Sequence, residues 1–342
     1  MQPAILAEVV RGGTTESVHR GHLIIIDGNG RELASLGDPG TATFFRSSCK
    51  PFQAIPLIAS GAADRFAFDE SEIALACASH SGEAVHVETS RGMLEKIGLS
   101  ETDLRCGSHL PFYEKEASLM LRNEMEPTQF HNNCSGKHAA MLAVAVHTGA
   151  DVTTYDQIGS PVQELILDSI AAFSEMPRES IKLGIDGCAA PNFAIPVKNM
   201  ATSFANLVYP SAKLSSDLVN AANRIVAAML KYPFLIGGSE RLDTMLMEAA
   251  PGRIISKVGA DGVWLCGILP DSTFPAGAAI ALKVEDGDDK RARPAAAVHI
   301  LRQLGILSGT WLGNISPMPI KNRRGDTVGE VISRVELPDR TV

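Results

Sequence analysis

The chain has 342 residues, of which 45% are hydrophobic and 20% charged, with a formal net charge of -8. That mixture builds a substantial core and excludes disordered, collagen-like and low-complexity chains. The acidic balance repels phosphate backbones and anionic lipid, so no nucleic-acid or membrane partner is expected, and no run approaches the roughly 18 apolar residues of a membrane helix. The string Met1-Gln-Pro-Ala-Ile-Leu-Ala-Glu8 lacks the basic and apolar regions of an export signal, and six cysteines stand without a framework spacing. A cytoplasmic protein with reduced thiols is therefore expected.

In chain order, the first 35 residues read as strands. Val18 to Ile26 and Arg31 to Leu36 flank the turn Asp27-Gly28-Asn29-Gly30, which predicts a hairpin. Three- and four-residue apolar spacing then predicts helices over Cys49 to Ile58, Glu72 to Ala78, Val85 to Ile97, Lys137 to His147, Val162 to Phe173, Asp217 to Leu230 and Leu242 to Ala249. Short strands return at Arg253 to Val258, Gly262 to Leu269 and Gly277 to Val284, followed by a helix over Pro294 to Leu304 and a strand over Thr327 to Val335. Strands at both ends with helices between them predict an α+β fold whose termini share one antiparallel sheet beside a central helical lobe. No repeat or linker divides the chain. We expect a single catalytic domain over 1–342, with a sheet lobe at approximately 1–45 and 250–342 and a helical lobe at approximately 46–249. The basic run Lys290, Arg291 and Arg293 follows Asp286, Asp288 and Asp289 and reads as a solvated loop.

The most informative string is Arg46-Ser47-Ser48-Cys49-Lys50-Pro51. Ser47 and Lys50, three apart at a helix start, share a face, and a lysine amine is a candidate base for a serine nucleophile. Alone, that spacing is common. Ala78-Ser79-His80-Ser81-Gly82-Glu83 follows an apolar helix and can present Ser79 or Ser81 to a cleft, and Lys257-Val258-Gly259 ends an aliphatic strand, where the glycine would let a substrate backbone approach the sheet edge. Taken in this order, the three strings are similar to the layout of serine acyl-transfer enzymes of the β-lactamase and penicillin-binding class. The middle string departs from their Ser-Asp-Asn, and Val258 stands where they carry Thr. The plainer reading is a capped helix and a solvent-facing lysine.

A second constellation is His131-Asn132-Asn133-Cys134-Ser135-Gly136-Lys137-His138, with Asp186-Gly187-Cys188-Ala189-Ala190-Pro191 after the strand-like Ile181 to Ile185. Two thiols with a His or an Asp suit zinc, a Lys can ligate only when its amine is neutral, and two buried cysteines beside a satisfied histidine fit equally well. Cys49, Cys77, Cys106 and Cys266 read as packing residues. Glu16 to Gly21 and Glu240 to Thr244 concentrate polar groups that would hold a substrate's charged ends or, more simply, serve as caps and exposed charges. His22, His86, His109, His147 and His299 stand alone.

Together these strings resemble the asparaginase II family, the rhizobial type of L-asparaginase. The likeness runs from Ala7-Glu8-Val9-Val10-Arg11 to Asn322-Arg323-Arg324-Gly325-Asp326-Thr327-Val328-Gly329. It implies a fold similar to serine β-lactamases and serine-dependent glutaminases, a homodimer, and hydrolysis of L-asparagine to aspartate and ammonia. It further implies a first Ser-Lys pair of Ser47 with Lys50, a second of Ser79 with Lys257, and a zinc trio of Cys134, Lys137 and Cys188 beside the pocket. Arg46, His138, Asp186 and Ser81 are the expected substrate-side groups. The mechanism this suggests has Ser47 attacking the amide carbon with Lys50 as base, the oxyanion held by backbone N–H groups and the Ser79–Lys257 pair, and Zn2+ orienting the substrate. A serine glutaminase, another hydrolase of the β-lactamase fold, or a non-catalytic zinc or amino-acid binding protein are the alternatives.

Overall fold

The computed structural model describes residues 2–308 and 312–338. Met1 and 339–342, at the ends of the expected single domain, lie outside them. The strands in chain order are β1 (Ala4–Arg11), β2 (Thr14–Asp27), β3 (Glu32–Leu36), β4 (Ala42–Phe44), β5 (Lys182–Ile185), β6 (Pro191–Pro196), β7 (Ile254–Val258), β8 (Val263–Ile268), β9 (Ala278–Val284), β10 (Met318–Lys321) and β11 (Thr327–Ser333). The main sheet runs β10-β11-β1-β2-β9-β8-β7, with β3 paired to β2. Every pairing is antiparallel, so the two ends of the chain do share one sheet; Ala7 faces Ser333, Ile24 faces Ala281, and Lys257 faces Leu265. The hairpin expected at the N-terminus is β2–β3, within a longer first strand pair.

Strands β7 and β8 are buried at every residue, which explains their unbroken aliphatic texture: both faces are covered. The helix Val197–Val208 packs on β2, β8 and β9, and the helix Ala292–Gln303 on β1 and β11. No helix among the described residues is long and apolar enough to cross a membrane.

Two features depart from expectation. A separate three-stranded sheet, β4-β6-β5, was not expected: β5 matches the strand-like Ile181 to Ile185, but its pairing with β6 and, through it, with β4 lies mostly within the lobe expected to be helical. The helix expected over Cys49 to Ile58 is broken into a 3-10 turn (Arg46–Cys49) and two short helices (Lys50–Gln53 and Ile55–Ala59), each with a proline in its first turn. Pro51 and Pro56 have no N–H to continue a helical ladder, so apolar spacing survives while the helix does not.

Candidate active site

The small sheet and the edge strand β7 grip the turn that carries Ser47. Phe45 N–H donates to Phe193 O on β6 at 2.9 Å, and Arg46 N–H donates to Asn192 Oδ1 at 3.1 Å. Arg46 itself has φ of 52°, a left-handed conformation costly for a side chain of that size. Its guanidinium is held by Asp186 at 3.0 Å and by Asp261, so the strained residue is fixed from both sides.

On the other side stands Gly259. A Cβ there would lie 2.5 Å from Phe45 O and 2.9 Å from Val263 Cβ. The glycine therefore lets the Ser47 turn come against the strand end, and Gly259 also lines the cavity. Ser47 and Ala260 both line a shared cavity of about 1000 Å³, and the backbone N–H of neither donates to another described residue.

Lys50 is buried directly behind this wall. Its Nζ contacts Ala78 O at 2.6 Å, Asn133 O at 3.0 Å and Ser79 Oγ at 3.0 Å. No hydrogen bond joins it to Ser47, so the hydroxyl it holds is that of Ser79. Lys257, 0% exposed, contacts Asp243 Oδ2 at 3.3 Å and Val258 O at 3.2 Å, and makes no hydrogen bond to Ser79. The two expected Ser-Lys pairs thus give way to one Ser79–Lys50 contact and one Lys257–Asp243 ion pair. The physical reason lies in Asp243. Its carboxylate accepts from Val258 N–H at 2.9 Å and Ser256 Oγ at 2.8 Å, and Ser256 Oγ in turn accepts the Trp264 indole N–H at 3.0 Å. A buried carboxylate so fixed draws in the nearest cation. Burial nevertheless dominates and pulls the Lys257 amine down to about 8.

The thiol cluster does assemble. Lys137 Nζ donates to Cys188 Sγ at 3.0 Å, and the Cys134 thiol shares its proton with Cys188. That hydrogen bond lowers the Cys188 thiol, with the Lys137 charge adding to it, and raises Cys134, where burial adds; burial would lower Lys137, yet the two sulfurs raise it. His138 contacts Tyr155 OH through Nδ1 at 2.7 Å, and its buried ring also interacts with Cys188. Burial lowers its basicity. Among the described residues no three His, Cys, Asp or Glu side chains form a metal-holding group, so the expected trio depends on Lys137. Two sulfurs and an imidazole nitrogen are donors of the kind zinc takes, and the Lys137 amine would join them only in its neutral form.

Of the expected residues, Ser47, Ser79, Arg46, Asp186, Cys134 and Cys188 line the cavity; Lys50, Lys137, Lys257 and His138 lie behind its wall. Ser81 does not serve as a substrate group. It is 1% exposed and spends its hydroxyl on Gly237 O at 2.7 Å, because the loop after the helix Glu70–Ala76 turns it inward. Cys49, Cys77, Cys106 and Cys266 are buried as expected, and burial pushes their thiols up.

Several residues given no role do belong to the site. Arg293, read as solvated, is buried, donates to Gly259 O at 2.6 Å and pairs with Asp289, since its helix turns it under β7. His109 accepts Asn133 N–H at 3.1 Å and stacks on Phe112, with ring centroids 4.7 Å apart. Its isolation in the sequence left no signal.

The L-asparaginase II family model matches residues 7–333. The chain belongs to the L-asparaginase II family. It is accordingly an amidohydrolase. Comparison with curated proteins gives no match. Among solved structures, the chain is similar to a Bacillus subtilis glutaminase in covalent complex with 5-oxo-L-norleucine, at 14% identity over 84% of this chain and 89% of that one, with a TM-score of 0.40. It is also similar to a Bacillus glutaminase in the presence of 4.3 M NaCl, at 15% identity over 84% and 92%, with a TM-score of 0.40.

Proposed function

We propose that this amidohydrolase releases ammonia from L-asparagine by a serine acyl-enzyme route. The observation that carries the reading is the Lys50 amine, held by two carbonyls and the Ser79 hydroxyl directly behind the cavity. An uncharged amine has two N–H bonds and one lone pair. Ala78 O and Asn133 O take the two N–H bonds, which leaves the lone pair for the Ser79 proton.

Ser47 attacks the side-chain amide carbon, and its proton passes through Ser79 to Lys50. The developing oxyanion lies against the free N–H groups of Ser47 and Ala260, which are fixed in place before reaction. The proton then returns to the leaving nitrogen, ammonia departs, and water, deprotonated by the same relay, hydrolyses the ester. Arg46 and Asp186 line the floor of the cavity, and their ion pair keeps the Ser47 turn in its strained form. Cys134, Lys137 and Cys188 would hold zinc, which as a Lewis acid would polarise and orient the substrate beside them.

Family membership favours asparagine over glutamine as substrate; a single methylene in a pocket separates them by only about 1–3 kcal/mol. The test is ammonia release from both amides by the purified protein and by Ser47→Ala. Faster turnover of asparagine, abolished in Ser47→Ala, is expected; hydrolysis of glutamine alone, or of neither amide, overturns the reading.

A further inference from the structure

Four cationic side chains line the cavity, and three of them are accounted for. Arg46 is paired with Asp186 and Asp261. Arg293 is spent on Gly259 O, Val263 O and Asp289. Lys290 is exposed at the rim. Arg241 is different: no carboxylate or carbonyl among the described residues accepts a hydrogen bond from its guanidinium, whose only close partner is the Phe112 ring, 5.3 Å away at its centroid. Burial lowers its basicity, with the Asp243 and Asp289 carboxylates opposing that effect and Arg293 adding to it. A largely desolvated guanidinium with no hydrogen-bonded acceptor is costly, and a cavity is where a ligand would supply one.

The loop that carries Arg241 is bonded to the reactive loop. Ser79 N–H donates to Ile236 O at 2.9 Å, Ser81 Oγ to Gly237 O, and Ser239 N–H and Oγ to Glu83 at 2.8 Å each. Gly238, at φ of 99°, permits that approach, since a Cβ there would lie 2.5 Å from Glu83 Oε1. From Arg241 one wall then leads back to the base. Phe112 stacks on His109, His109 accepts Asn133 N–H, and Asn133 O contacts Lys50.

We infer that Arg241 is the residue that anchors the α-carboxylate of the substrate. The planar fork of a guanidinium matches a carboxylate in two parallel hydrogen bonds, and Phe112 fixes the plane of that fork. The inference rests on the amidase reading proposed above.

Ammonia release from asparagine by wild type, Arg241→Gln and Arg241→Lys tests it. The probe 3-aminopropanamide, which is asparagine without its α-carboxylate, is added as a competitor. Arg241→Gln should raise KM for asparagine at least roughly 10-fold with kcat changed little, and Arg241→Lys, which keeps the charge and loses the fork, should fall between. The inhibition constant of 3-aminopropanamide should stay the same in all three proteins. An unchanged KM for asparagine in the variants, or a weakening of 3-aminopropanamide by the same factor, overturns the inference. Should Arg241→Gln not fold, Arg241→Lys decides by the same two constants. A wild type that releases no ammonia from any amide would instead refute the amidase reading.

Discussion

Of the three lysines buried around one cavity, Lys50 and Lys257 have neighbours that differ in kind. Lys257 meets the carboxylate of Asp243 in a network that ends at the Trp264 indole. Lys50 meets only neutral oxygens: two carbonyls and a hydroxyl. A proton leaving Lys257 strands a buried anion, whereas a proton leaving Lys50 strands nothing charged among its hydrogen-bond partners. On the route proposed above, the contrast favours Lys50 for proton transfer and a framework role for the Lys257–Asp243 pair.

The largest effect separating the two should be on turnover. Lys50→Met should lower kcat/KM for asparagine by roughly 10³-fold or more, the scale of a lost general base, as measured by ammonia release. Stability should show the reverse order. Lys257→Met leaves the Asp243 carboxylate uncompensated and should cost about 3–5 kcal/mol in urea unfolding, against about 1–3 kcal/mol for Lys50→Met, which leaves only carbonyls unpaired. Adding Asp243→Asn to Lys257→Met should recover part of the loss. Equal destabilisation by the two lysine variants would break the comparison.

The pH dependence of stability sharpens it further. The folded-state value of Lys257, about 8, lies below the ordinary 10.5. Between those two values the unfolded chain holds a proton that the folded chain has released, so unfolding free energy contributed by this group rises with pH, by up to ~1.4 kcal/mol per unit. The slope of wild type minus that of Lys257→Met over this window should therefore be positive; a zero or negative difference contradicts the assignment. The smallest effect belongs to Ser81→Ala. Removing its bond to Gly237 O should cost about 1 kcal/mol of stability and leave KM for asparagine unchanged.

Much of this arrangement was legible in the sequence because the chemistry-bearing residues stand in short strings. Arg46 to Lys50, Ser79, Cys134 to His138 and Asp186 to Cys188 all converge on the cavity or the wall behind it, and the two-ended sheet follows from strand texture at both termini. What was illegible depends on contacts between strings. Asp243 reads as an ordinary acidic residue in a helix's first turn, yet it captures Lys257 from 14 residues away and so leaves Ser79 to Lys50. Ser81 stands in the same loop as Ser79, two residues further from the helix, but Gly237 O turns its hydroxyl into the interior. Arg293 sits in a run of alternating charge that predicts exposure, and only the packing of its helix against β8 and β9 buries it. Gly259 was recognised as a point of close approach, while the identity of what approaches, Phe45 O, is a tertiary fact. The three-stranded sheet was missed because β4 has only three residues and pairs with a strand about 150 positions on.

The central claim is that Ser47 carries the acyl group. Wild-type protein mixed with asparagine, quenched in acid and digested for mass spectrometry, tests it directly. The account predicts an adduct equal to asparagine less ammonia on the peptide bearing Ser47, absent in Ser47→Ala together with all turnover. An adduct confined to the Ser79 peptide, with ammonia still released by Ser47→Ala, would contradict it.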